Sequence, residues 1–116
     1  MKTKSTIYFV GGGKGGVGKT MVAITLVDFL LNKTENSPVT LIESDDSNPD
    51  AYKAYESAPE VTKKVINLDA QTGWIKLMNS MPEWEKSGEQ VVINTAARST
   101  TAVEHNINDL LTGAAE

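Results

Sequence analysis

Six of the nine glycines in this chain, Gly11, Gly12, Gly13, Gly15, Gly16 and Gly18, fall in one short segment between two apolar runs. So dense a cluster loses much backbone entropy on folding, a cost that a bound ligand can offset. The run before it, residues 5–10, is apolar and β-branched without polar alternation, as in a strand buried on both faces. The run after it carries Val22, Ile24, Leu26, Val27, Leu30 and Leu31. That broad apolar face predicts a helix of about three turns between Lys19 and Asn32. A loop bare of side chains that ends where a helix begins offers unpaired N–H groups and the positive end of the helix dipole to an anion. Cations gather at the same place, because residues 1–33 carry five lysines, Lys14 and Lys19 among them, against Asp28 alone.

The remaining chain reads as further strands and helices. Residues 39–42 predict a second strand running into an acidic loop at 43–49. Pro49 suits the first position of a short helix reaching Ser57, with Asn48 as its cap. Residues 64–68 predict a third strand, and residues 72–81 a helix presenting Trp74, Ile75, Leu77 and Met78, with Pro82 and Gly88 bracketing a turn. Residues 90–95 predict a fourth strand, after which Val103, Ile107, Leu110 and Leu111 recur at helical spacing. This alternation predicts an α/β fold, a parallel sheet of about four strands with flanking helices.

A chain of 116 residues has room for one domain, spanning 1–116. Without cysteine there is no disulfide framework, thiolate zinc site or cysteine nucleophile, and a cytoplasmic location is expected. No apolar run reaches the ~20 residues of a membrane-spanning helix, and the segment after Asp109 lacks the basic amphipathic character of a membrane-surface helix. Residues 34–116 carry six basic and fourteen acidic side chains, so direct DNA binding by this segment is not expected.

Gly13, Lys14, Gly15, Gly16, Val17, Gly18, Lys19 and Thr20 match the pattern G-x-x-x-x-G-K-[ST] between a predicted strand and a predicted helix. In such a loop the backbone N–H groups cradle phosphates, Lys19 neutralises the terminal ones and the Thr20 hydroxyl reaches Mg²⁺. Gly11, Gly13 and Gly16 also have dinucleotide-binding spacing, with Glu43 as a ribose partner. That alternative has no use for Lys19 and Thr20, and it places the acidic residue about thirty residues downstream instead of the usual ~20.

With Lys14 included, the motif resembles the deviant Walker A motif of the ParA/MinD superfamily of P-loop ATPases (the SIMIBI class), to which the nitrogenase iron protein also belongs. The resemblance implies an ATP- or ADP-binding site with Mg²⁺ at residues 13–20 and Met21, and a nucleotide-sandwich homodimer in which Lys14 reaches the partner's phosphates. It implies a second carboxylate after the second strand that orients the attacking water. Asp45 matches that position, while Glu43 replaces the first aspartate and Pro49 comes later than usual. Asn94 stands where the Walker B aspartate is expected, a metal-site departure that implies weak Mg²⁺ binding or slow hydrolysis; Asn94→Asp is expected to preserve or raise Mg²⁺ affinity. The catalytic set is thus Lys14, Lys19 and Asp45, and the metal set Thr20, Asp45 and Asn94.

Within the superfamily, Glu43, Asp45, Asn48, Pro49, Asp50, Gly73, Trp74 and Asn94 with their neighbours look most like StbB/TraL-type proteins of plasmid stability and conjugative mobilisation. The expected function is an ATP-hydrolysing switch in plasmid partition, stability or mobilisation, with a partition or mobilisation protein as partner. The alternative is a nucleotide-dependent assembly module with little or no hydrolysis. The family's strand order places residues 64–68 at one edge, then 39–44, 90–95 and 5–10. Complete members are about twice as long, so this chain corresponds to the N-terminal part of the fold. Its first strand would be an open edge, favouring an edge-paired or swapped dimer. Trp74 and Trp84 are expected to pack, His105 to lie on the surface and Arg98 to pair with an acidic neighbour.

Overall fold

A computed structural model describes residues 5–11, 16–33, 38–44 and 50–95. In chain order these form β1 (Thr6–Val10), α1 (Gly16–Lys33), β2 (Val39–Glu43), α2 (Asp50–Ala54), β3 (Val61–Val65), α3 (Gln71–Ser87) and β4 (Gln90–Asn94). The strands make one sheet in the order β1-β4-β2-β3, and every pairing is parallel. The fold class and strand order are those expected from the sequence. The segments with Asn48 and Pro49, Arg98, His105, and Val103 to Leu111 lie outside the described residues.

Helices cover both faces, so the central strands are apolar on both sides. Leu41 and Val92 point toward α1 and α2, where they pack with Ala23, Val27, Leu30, Ala51 and Tyr55. Ile42, Val91 and Ile93 point the other way, into a second cluster with Trp74, Leu77 and Trp84 of α3. The chain path accounts for this division. From β1 to β2 and from β2 to β3 the sheet is built in one direction, and the step from β3 to β4 runs back, so right-handed crossovers put α1 and α2 on one face and α3 on the other.

The second helix ends at Ala54 and not at Ser57, and three further boundaries differ from the sequence reading. First, α1 begins at Gly16, inside the glycine cluster, and its core face is Ala23, Val27 and Leu30 at helical spacing. Val22, expected on that face, is 57% exposed, with Met21 and Phe29 beside it on the open side. Second, β3 is Val61–Val65, three residues earlier than expected. It is an edge strand whose Thr62, Lys64 and Val65 face solvent, whereas the apolar Ile66 and Leu68 that suggested the later span are loop residues buried with α3. Third, α3 runs through Pro82 to Ser87 and the expected turn is absent. Pro82 removes one main-chain bond, but it lies on the exposed side, and continuing the helix buries Trp84. The helix ends at Gly88, whose φ of 74° is the left-handed conformation of a C-terminal cap.

The tryptophans pack as expected. The Trp74 ring stacks on Phe9 with centroids 6.4 Å apart, and its Nε1–H donates to the Leu68 carbonyl at 2.7 Å. Such close approach of α3 to the preceding loop requires Gly73, where a Cβ would stand 2.0 Å from the Asn67 carbonyl oxygen. On the opposite face the Tyr55 hydroxyl fastens the turn after α2 to α1. It donates to Asp28 Oδ1 at 2.6 Å and lies 2.8 Å from the Ile24 carbonyl oxygen. Burial, then the Asp28 hydrogen bond and charge, raise the Tyr55 pKa well above its ordinary value. Among the described residues no helix is long and apolar enough to cross a membrane.

Gly73→Ala should destabilise the domain by about 1–3 kcal/mol or more, since the Asn67 main chain must move to admit the methyl group. Urea unfolding measures this, and an unchanged midpoint would show that the α3 approach is not tight.

Tyr55 is neutral in the fold at pH values where the free phenol ionises. Its contribution should therefore be complete below pH ~10 and decline as the pH rises above that value. Alkaline melts should show a drop in the parent that Tyr55→Phe lacks, with Tyr55→Phe already less stable at neutral pH by about 1 kcal/mol.

Candidate functional site

The carboxyl ends of the four strands lie in one row, with Val10 opposite Asn94, Asn94 opposite Glu43 and Glu43 opposite Val65. Hydrogen bonds just past the ladders hold that row in place. Thr95 donates its main-chain N–H, at 3.0 Å, and its Oγ1–H, at 2.7 Å, to the Val10 carbonyl. Ser44 does the same to the Asn94 carbonyl, with both contacts at 3.0 Å. The Ile66 N–H donates to the Glu43 carbonyl at 2.9 Å. At Gly11, where the chain leaves β1, a Cβ would lie 3.3 Å from Thr95 Oγ1, so glycine keeps the exit close to β4.

From that exit the chain returns as α1, whose first turn is Gly16, Val17, Gly18 and Lys19, followed by the half-buried Thr20 and the exposed Met21. The second half of the glycine–lysine motif is thus helical, and its first-turn N–H groups have no partner within the helix. Gly13, Lys14, Gly15 and Asp45 lie outside the described residues.

Beside the β1 exit, Glu43 and Asn94 form a buried pair. Glu43 is 0% exposed and Asn94 5%. Asn94 Nδ2 donates to Glu43 Oε2 at 3.1 Å and Oε1 at 3.3 Å, and the Ala51 N–H donates to Oε1 at 3.1 Å. With its nitrogen toward the Glu43 carboxyl, the Asn94 amide turns its oxygen away. Among the described residues Asn94 Oδ1 is left buried with no hydrogen-bond partner. This corrects the view of Glu43 as a ribose partner, because a fully buried carboxylate engaged by Asn94 and Ala51 is not presented to a ligand. It also alters what Asn94→Asp would do, since a carboxylate there would stand about 3 Å from Glu43 and repel it. Neither strand end alone reveals the pairing. The register that sets residue 43 opposite residue 94 does.

Asn94 Oδ1 is an oxygen acceptor of the kind that a Mg²⁺-bound water can use, and Thr20, half-buried in α1, carries a hydroxyl. Among the described residues no group of three His, Cys, Asp or Glu side chains could hold a metal by itself. That is compatible with Mg²⁺, which commonly rests on one or two protein oxygens, water and substrate phosphates.

Over 98 residues the chain is 48% identical to Protein MobD of Acidithiobacillus ferrooxidans, covering 84% of this chain and 40% of that relative. The chain therefore spans less than half the length of the protein it matches. No family model and no solved structure matches it.

Proposed function

We propose that the chain is the nucleotide-binding part of a MobD-like plasmid mobilisation protein, a ParA/MinD-type switch that binds ATP and hydrolyses it slowly. The observation that supports this reading is the start of α1 at Gly16, within the motif and after the end of β1 at Val10, which lies level with Asn94 in the β1–β4 register. A phosphate-binding loop needs that strand–loop–helix order. Similarity to MobD, a name given to mobilisation-type proteins, supports the biological setting.

In this reading the main-chain N–H groups of residues 13–20 hold the phosphates and Lys19 neutralises the terminal ones. Thr20 and Asn94 orient the hydrated Mg²⁺, whose chemistry is to offset phosphate charge. Asp45 orients the attacking water. Lys14 reaches the nucleotide of a second copy, so the active species is a homodimer, in sandwich form or paired through the β1 edge. Its partner is another protein of the partition or mobilisation machinery. Asn94 favours a second reading, in which nucleotide binding drives assembly with little turnover, because an amide brings no charge to the metal.

Lys19→Ala should weaken ATP binding roughly ten- to a hundredfold, the worth of a charged hydrogen bond. Calorimetry on folded protein checks this, and equal affinities would remove the phosphate-loop assignment.

With a non-hydrolysable ATP analogue, sedimentation should show the parent dimerising and Lys14→Ala remaining monomeric with nucleotide bound. A parent that is saturated yet monomeric would reject the sandwich.

A further inference from the structure

We infer that Glu43 supplies from β2 the negative charge that Asn94 lacks on β4, so that the two side chains act as one unit with Asn94 Oδ1 as its working face. The inference rests on the Mg²⁺–nucleotide reading of the site. Its physical basis is the pair of contacts from Asn94 Nδ2 to the Glu43 carboxylate, at 3.1 and 3.3 Å. A charge-assisted hydrogen bond to the nitrogen end of an amide polarises the whole group and makes its oxygen a stronger acceptor. The same logic lets a carboxylate behind a metal-bound histidine orient the ring and raise its basicity. Glu43 is itself fixed by the Ala51 N–H at 3.1 Å, so the orientation passes from α2 through Glu43 to Asn94. Among the described residues Oδ1 is the end left buried and unpartnered.

Glu43 is therefore a positioning residue, and the unit divides its work between two strands. Glu43 carries the charge and Asn94 presents the oxygen. An amide suits position 94 opposite the longer Glu43 side chain, because a second carboxylate would face the first at about 3 Å with no exposed surface to screen it. The arrangement can also be inverted. With Gln at 43 and Asp at 94, the Gln nitrogen would donate to one aspartate oxygen and leave the other where Asn94 Oδ1 stands.

Three variants test this: Glu43→Gln, Asn94→Asp and the double variant. In urea unfolding without nucleotide or Mg²⁺, Asn94→Asp should lower the folding equilibrium constant at least about a hundredfold. The double variant should recover to within about tenfold of the parent. In calorimetry with ATP, with and without MgCl₂, Glu43→Gln should bind ATP alone as the parent does but lose most of the gain that Mg²⁺ gives. In that variant the Gln nitrogen makes Asn94 turn its oxygen inward. The double variant should regain the gain, a rescue that a merely structural Glu43 would not permit. Asn94→Asp as stable as the parent, or Glu43→Gln with the full Mg²⁺ gain, would overturn the inference. A parent that binds no ATP would sink the nucleotide reading separately. MgCl₂ alone would then decide about the pair: restored stability of Asn94→Asp would support a cation-directed unit, and unchanged stability would overturn it.

Discussion

Everything at the carboxyl end of the sheet is arranged around a carboxylate that has no contact with solvent. Burying Glu43 would cost several kcal/mol without partners. Among the described residues the fold supplies them from two directions, the Asn94 amide on the neighbouring strand and the Ala51 N–H in the first turn of α2. The first partner depends on the β2–β4 register. A shift of β4 by one residue would place Asn94 on the other face of the sheet and leave the carboxyl without its amide. The polar pair thus fixes β2 against β4 more strictly than their valines, leucines and isoleucines could, because apolar side chains of similar size tolerate exchange.

The same register determines what lies beside the pair. Val10 is level with Asn94, so β1 ends, and the chain turns toward α1, next to the buried amide. Thr95 and Ser44 each place two donors on a neighbouring strand's last carbonyl, which continues the sheet's hydrogen bonding one step beyond the ladders. On the α1 face, Tyr55 joins the turn after α2 to Asp28 of α1. The helix that opens in the motif and the short helix that holds Glu43 are thereby connected to each other as well as to the sheet. A site assembled in this way is held by rigid elements on two sides, the usual requirement for placing a charge to within a fraction of an ångström.

The fold was largely legible because its strongest signals are local. The apolar runs at β1, β2 and β4, the helical face after the motif and the alternation between them survive without knowledge of contacts. The failures came where burial and secondary structure part company. Ile66 and Leu68 are apolar because α3 covers them, though they lie in a loop, while the strand itself is the polar, half-exposed Thr62, Lys63 and Lys64. Pro82 is a local stop signal overridden by the burial of Trp84 two residues later. At the site, the motif marked where α1 opens, and Asn94 stood out as a departure from the resembled pattern. The partner of Asn94 did not, since residues 43 and 94 are brought together only by the β2–β4 register.

The two edges of the sheet differ in a way that bears on how such a domain associates. Along β3, Lys63 donates to the Ala58 and Val61 carbonyls and Lys64 is exposed. A strand added there would compete with the first lysine and crowd the second, and lysines are a common means of blunting an edge. Along β1 the residues are Thr6, Ile7, Tyr8, Phe9 and Val10, which carry no charge. Ile7 and Phe9 are half-buried against the α3 face and Tyr8 against the α1 face, so apolar surface continues past the last strand on both sides. Among the described strands β1 has β4 as its one neighbour, and a strand added on the other side would pair its main chain and cover that surface without desolvating an ion. Among the described strands the sheet is therefore guarded by charge at β3 and uncharged at β1, the edge better suited to strand addition whether that strand comes from the same polypeptide or from another.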